Sequence, residues 1–263
     1  MAGTCFVGFF LSVKKLPLPN GKQWLQLFFL SLLMFVVANG VSTYGLNYIP
    51  TGLGALIGAL YPLSVMVMEW IFYKKRNIPS ITLLGMFLGL AGVAFVFYQN
   101  MFAVIDARLV IGLIMSVIAM LAWSVGSIFL ARHPLPINPY YAMGWQMLIS
   151  SAILLTISYF SHELVSPFTI SLKGWMQVSY LAIVGSIFTF IAFLYTLKTL
   201  PATVSSLYAY VNPIVAMLTA ALFLGEKLTG TIMLGTVITI TGVFIVNHFT
   251  HHDEEQVIAE SEI

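Results

Sequence analysis

Residues 109–131 read LVIGLIMSVIAMLAWSVGSIFLA, a run with no Asp, Glu, Lys or Arg, closed by Arg108 on one side and Arg132 on the other. About 20 consecutive apolar residues in an α-helix cross the hydrocarbon core of a bilayer, so this run has the length and chemistry of a spanning helix. The same pattern fills the chain. Uncharged tracts cover 23–68, 77–105, 109–131, 133–162, 174–197, 199–225 and 228–252. Of the whole sequence 60% is hydrophobic and 8% charged, against about 25% charged in a soluble domain. No water-soluble core absorbs that much apolar surface.

Pro50-Thr51-Gly52 breaks the longest tract into two spans joined by a tight turn. The expected spans are 24–48, 52–73, 79–98, 108–131, 139–160, 175–197, 201–224 and 230–248, preceded by an apolar stub at 2–13. The fold class is therefore all-α integral membrane, a helical bundle of eight full transmembrane helices plus one partial. The stub is about 18 Å long as a helix against about 30 Å of hydrocarbon, so a longer reading frame is expected to complete it. The single cysteine, Cys5, makes neither a disulfide framework nor a Cys-based zinc site. A net charge of +2 offers no basic surface for nucleic acid.

Threading the spans with the Lys14-Lys15 loop inside places Lys14, Lys15, Lys22, Lys74, Lys75, Arg76, Arg132 and Lys198 on the cytoplasmic side, against Arg108, Lys173 and Lys227 outside. That distribution obeys the positive-inside rule and sends the C-terminus to the cytoplasm. The chain also matches itself. A displacement of 151 residues pairs Lys22 with Lys173, Trp24 with Trp175, Gln26 with Gln177, Tyr44 with Tyr195, Pro50 with Pro201 and Pro62 with Pro213. A displacement of 150 then pairs Gly85 with Gly235, Gly92 with Gly242, Val93 with Val243 and Val96 with Val246. The sequence reads as a duplication, with a first repeat at 1–100, a second at 101–249 and a cytoplasmic tail at 250–263. Cations flank the first copy far more than the second, so equivalent loops lie on opposite sides. Inverted repeats of this kind are a recurring plan of secondary transporters.

The stretch Tyr208–Asn247, YAYVNPIVAMLTAALFLGEKLTGTIMLGTVITITGVFIVN, resembles the closing repeat of EamA-type members of the drug/metabolite transporter superfamily. An Asn-Pro opening a span and a Gly-Glu-Lys-Leu-Thr turn before a Gly-spaced last helix carry the resemblance. Trp123 and Gln146 match places where the family tends to carry Trp and Gln. The resemblance implies ten helices in two inverted halves, with both ends cytoplasmic, in the bacterial inner (plasma) membrane. It implies a secondary transporter, an exporter or exchanger of small metabolites or drugs by alternating access. The sequence departs from the family plan at its N-terminus and in carrying Lys74-Lys75-Arg76 where the second copy has Gly225-Glu226-Lys227. The alternatives are a non-transporting membrane scaffold, a truncated remnant and a membrane-embedded enzyme. The last is disfavoured because no pair of intramembrane acids or histidines exists for metal binding or acid–base work. No catalytic or metal-binding residues and no cofactor are expected. The expected partners are a small-molecule substrate, the lipid bilayer and a second copy in a homodimer, with no nucleic acid.

Candidate substrate-binding residues are Tyr61, Pro62, Trp123, Gln146, Tyr208, Asn212 and Pro213. Pro62 and Pro213 are equivalent and fall about ten residues into their spans, where a proline frees carbonyls that a cavity can use. Tyr208 and Asn212 are spaced i, i+4 and share a helix face. Glu69 is the one acid well inside a span, where a carboxylate costs about 3 kcal/mol at mid-membrane. It reads either as a group reaching the nearby cytoplasmic cations or as a proton-coupling carboxylate. Tyr44, Tyr48 and Tyr195 read as interfacial belt residues. Gly54, Gly58, Gly85, Gly89 and Gly92 read as close-packing positions.

Overall fold

The structure, a computed structural model, describes residues 1–49, 54, 57–73, 79–96, 107–212, 214–215 and 230–261. The Pro50-Thr51-Gly52 break, the cations at 74–76, Pro213 and the turn at 225–227 lie outside the described residues. Every long element among them is a helix: α1 (Ala2–Ser12), α2 (Gly21–Gly45), α3 (Tyr61–Tyr73), α4 (Ser80–Val96), α5 (Ala107–Arg132), α6 (Pro139–Phe160), α7 (Leu172–Thr199) and α8 (Gly230–Ser261). α2, α5, α6 and α7 are long and apolar enough to cross a bilayer by themselves, and shorter apolar helices accompany them. Hydrocarbon offers no water to a free backbone group, so helices that bond their own N–H and C=O are the natural solution. The protein is a multi-pass helical membrane protein.

Polar residues set where the helices start. The Gln23 N–H donates to Asn20 Oδ1 at 3.0 Å and the Asn20 N–H to Gln23 Oε1 at 2.8 Å, a reciprocal cap at the head of α2. The Gly174 N–H donates to Ser171 Oγ at 3.2 Å, ahead of α7. Asn138 accepts from the N–H groups of Tyr140 and Tyr141, and Pro139 at the first position of α6 wastes no donor.

Two features depart from the expected regular spans. α2 widens into a π-helix over Leu32–Val41, and α7 does so over Ile183–Phe188. Both begin at the same place in the 151-residue register. Side chains reach five residues back along these stretches: Asn39 Nδ2 donates to Met34 O, Ser186 Oγ to Leu181 O and Thr189 Oγ1 to Val184 O. The second departure concerns Pro62. The chain turns at Leu60 and α3 restarts at Tyr61, with the Ser64 N–H on Leu60 O at 2.9 Å. Pro62 therefore stands in the first turn of a helix, where its missing N–H costs nothing, and not in mid-helix as expected. α8 continues through the tail to Ser261.

The chain forms two compact units. Unit 1 combines Met1–Val41 with Val125–Leu200, and unit 2 combines Ser42–Ser124 with Pro201–Ile263. In unit 1, α1 runs antiparallel along α6. A methyl on Gly3 would come within 2.9 Å of Gly144 O, and one on Gly144 within 2.7 Å of Phe6 Cβ. Phe6, Val7, Phe10 and Tyr141 fill that seam. α2 meets the end of α5 through the Phe29 and Phe129 rings, 5.8 Å apart.

In unit 2, α4 and α8 cross antiparallel with no room for side chains at the crossing. A Cβ on Gly85 would lie 2.9 Å from Gly242 O, one on Gly92 2.6 Å from Gly235 O, and one on Gly242 2.5 Å from Gly85 O. Gly89 faces the Tyr210 ring, whose hydroxyl donates to Met86 O at 3.1 Å. The close-packing reading thus holds for Gly85, Gly89 and Gly92. Gly58 is exposed, with nothing within 4 Å of its Cβ position among the described residues.

Replacing Gly242 by Leu drives a branched side chain into the α4 backbone, and overpacking of this kind costs about 1–3 kcal/mol or more. Gly242→Leu should lower the unfolding temperature of the detergent-solubilised protein, while Gly58→Ala should leave it unchanged. Equal thermal curves for the two variants would show that the α4–α8 contact is not limiting.

Candidate functional site

Several polar groups inside unit 2 meet near the start of α3. Tyr61 is 4% exposed, and its ring lies 5.8 Å from that of Tyr208 at an interplanar angle of 53°. The Trp123 Nε1–H, from α5, donates to the Tyr208 hydroxyl oxygen at 3.0 Å. One turn beyond Tyr61, the Ser64 hydroxyl donates to Tyr61 O at 2.7 Å and shares a hydrogen bond with the Ser124 hydroxyl. Three of the expected residues, Tyr61, Trp123 and Tyr208, thus form one cluster, with Pro62 buried beside Tyr61. Asn212 follows Tyr208 by one helical turn and is exposed, as Tyr208 partly is at 36%. Among the described residues this side of the cluster presents a phenol, an indole and a carboxamide.

Glu69 lies on the same helix as Tyr61 and is 3% exposed, whereas the next residues Trp70, Ile71 and Phe72 are all more than half exposed. Eight residues of helix separate it from Tyr61, about 12 Å along the axis.

Gln146 belongs to unit 1 and does not join this cluster. It is 1% exposed, its main-chain oxygen accepts from Ser31 Oγ at 2.8 Å, and neither of its side-chain polar atoms has a hydrogen-bonding partner among the described residues. A polar group buried in that condition costs about 1–3 kcal/mol. Tyr44 and Tyr195 are 49% and 62% exposed, as lipid- or headgroup-facing tyrosines are.

The sequence reading missed the Ser64–Ser124 pair and the seating of Tyr210 on Gly89. Helical spacing carried a signal for both. Ser64 sits three residues after Tyr61, and Ser124 is adjacent to Trp123. Tyr210 falls on the far side of its helix from Tyr208, toward the glycine face of α4.

Known proteins place this arrangement in a family. The profile of the EamA-like transporter family matches residues 1–98 and 110–248. The chain is 28% identical over 244 residues to YedA of Escherichia coli K12, named an uncharacterized inner membrane transporter, covering 90% of this chain and 77% of that protein. It is 26% identical over 247 residues to the uncharacterized transporter YoaV of Bacillus subtilis, covering 93% and 82%. It is 25% identical over 235 residues to protein PecM of Dickeya dadantii, covering 89% and 76%. A protein crystal structure matches the fold with a TM-score of 0.77 at 16% identity, over 96% of this chain and 85% of that one. With the profile spanning nearly the whole chain, and with apolar helices of spanning length beneath it, the protein belongs to the EamA-like transporter family.

Proposed function

We propose that this protein is a secondary transporter of small metabolites or drugs that works by alternating access, as an exporter or exchanger, rather than an enzyme. One observation carries the reading: the α4–α8 crossing is reciprocal. Gly85 and Gly92 are the sequence equivalents of Gly235 and Gly242, and Gly85 meets Gly242 while Gly92 meets Gly235. Two equivalent helices in antiparallel contact, each offering the other the same surface, have the local symmetry that an inverted repeat requires. The matching caps at Asn20 and Ser171 and the matching π stretches of α2 and α7 support the same duplication. On this reading the repeats occupy 1–100 and 101–249, and the C-terminus lies in the cytoplasm.

Substrate contact is assigned to Tyr61, Pro62, Trp123, Tyr208, Asn212 and Pro213 in unit 2 and to Gln146 in unit 1. The Trp123–Tyr208 bond fixes the phenol beside Tyr61, so an apolar or aromatic body has a preformed surface with a polar edge. Glu69 is the candidate for proton coupling, since a buried carboxylate changes charge when it binds a proton.

Reporters fused after Lys75 and after Asn247 should register in the cytoplasm, and one placed between Ser161 and Leu172 outside. Finding the loops at 74–76 and 161–172 on the same side would remove the inverted repeat. Tyr208→Ala and Asn212→Ala should impair transport without loss of membrane-inserted protein, in a strain screened against a panel of metabolites and toxins. Trp123→Phe, which keeps an aromatic ring but loses the bond to Tyr208, should be milder than Tyr208→Ala and cost about 0.5–1.5 kcal/mol of stability. Transport kinetics identical to the parent in all three would make the cluster a packing feature. Glu69→Gln should abolish the pH dependence of uptake, and uptake that still varies with pH in this variant would dismiss Glu69 as the coupling group.

A further inference from the structure

The buried polar side chains of unit 1 are Ser31, Ser127, Gln146 and Ser150. Two of the serines bond carbonyl groups, Ser31 to Gln146 O and Ser150 to Met147 O. The amide of Gln146 has no such outlet. Its Oε1 and Nε2 are buried without a hydrogen-bonding partner, and so is Nε1 of the adjacent Trp145. Three unsatisfied polar atoms on consecutive residues are unusual, because native interiors pair nearly all such groups. Methionine or leucine would fill the same space at no such cost.

The surroundings point to a ligand. Trp145 stacks edge-on against Trp24 of α2 at 4.9 Å, and Ser31, also of α2, holds the backbone of Gln146. Immediately after Ser31, α2 changes from α- to π-helix, a distortion that concentrates at functional sites. The charge pattern then limits what can bind. Among the described residues of unit 1, Lys14, Lys15, Lys22, Arg132, Glu163, Lys173 and Lys198 are all exposed, and so are His133 and His162. An ion entering beside Gln146 would lose its water and meet no buried counter-charge among the described residues of unit 1. An uncharged group would find one acceptor and two donors on the amide and a further donor on the indole.

We infer that Trp145 and Gln146 form a polar station within unit 1 that takes an uncharged hydrogen-bonding group, such as a primary amide, a hydroxyl or a protonated carboxylic acid, carried on an apolar body. This deepens the transporter reading by naming a substrate class, and its role in transport rests on that reading. Binding itself does not.

Three probes with one phenyl body separate the chemistry: phenylacetamide, phenylacetate and phenethylamine, which are neutral, anionic and cationic at pH 7. Binding to the purified full-length chain in detergent is measured by equilibrium dialysis and by the shift in unfolding temperature. Phenylacetamide should bind at least about tenfold more tightly than either ion. Gln146→Met, which keeps the length of the side chain but not its amide, should remove that preference, and Trp145→Phe should weaken it. Absence of phenylacetamide binding, equal binding of the three probes, or tighter binding of an ion overturns the proposal, and these comparisons need only the parent protein. Parent-like affinity in Gln146→Met overturns it too. If phenylacetamide binds as expected but is not moved across proteoliposome membranes, while a panel screen finds no other substrate, the transport reading fails and the station stands. If a substrate is transported equally by the parent and by Gln146→Met, and phenylacetamide binds the two alike, the station fails and the transport reading stands.

Discussion

A peptide group in hydrocarbon has no water to bond, and every other feature of this chain is arranged around that constraint. Each spanning segment must close its own hydrogen bonds, and polar side chains assist where the backbone departs from a plain α-helix. Asn20, Asn138 and Ser171 take up N–H groups at helix starts. Asn39, Ser186 and Thr189 reach back to carbonyls in the widened turns of α2 and α7. Side chains substitute for the solvent that a soluble helix would use.

The same constraint decides how helices associate. Lipid tails are as apolar as leucine, so burying apolar side chains between helices gains little, and close van der Waals contact has to supply the attraction. Where α4 meets α8, glycines let the two backbones approach each other, with Thr239, Ile245 and Val246 packed beside them. The aromatic residues are then free for other work. Tyr210 seats on the glycine face, while Tyr61, Trp123 and Tyr208 build the polar-edged cluster of unit 2.

Much of this was legible in the residues. The span expected at 139–160 coincides with α6, and that at 108–131 differs from α5 by one residue at each end, because charges and a capped proline mark both. Tyr61 and Tyr208 were legible as candidates through their place beside the paired prolines, and Trp123 through the family resemblance, but the Trp123–Tyr208 contact was not, since it joins residues 85 positions apart. The π stretches were invisible because composition sets hydropathy and says little about whether a turn holds four bonds' length or five. Pro62 was placed in mid-helix because the uncharged tract runs straight through it. Nothing in a hydropathy pattern shows that the chain pauses at Leu60. Gln146 carried no sign in the sequence that its amide would be buried without a partner.

The reciprocal crossing of α4 and α8 has a consequence for how such a chain can come to exist. A surface that fits its own equivalent in antiparallel contact would, on a half-length chain, be a surface that pairs with a second copy of itself. Joining the two halves in one polypeptide makes the pairing intramolecular and sets its effective concentration by the tether rather than by expression. It also releases the halves from identity. In a symmetric pair every substitution strikes two places at once, whereas here a change at Gly85 leaves Gly235 untouched, and one half is free to carry Lys74-Lys75-Arg76 where the other carries Gly225-Glu226-Lys227. On the inverted-repeat reading the two faces of the membrane can then be addressed by different chemistry, which an antiparallel pair of identical halves does not allow.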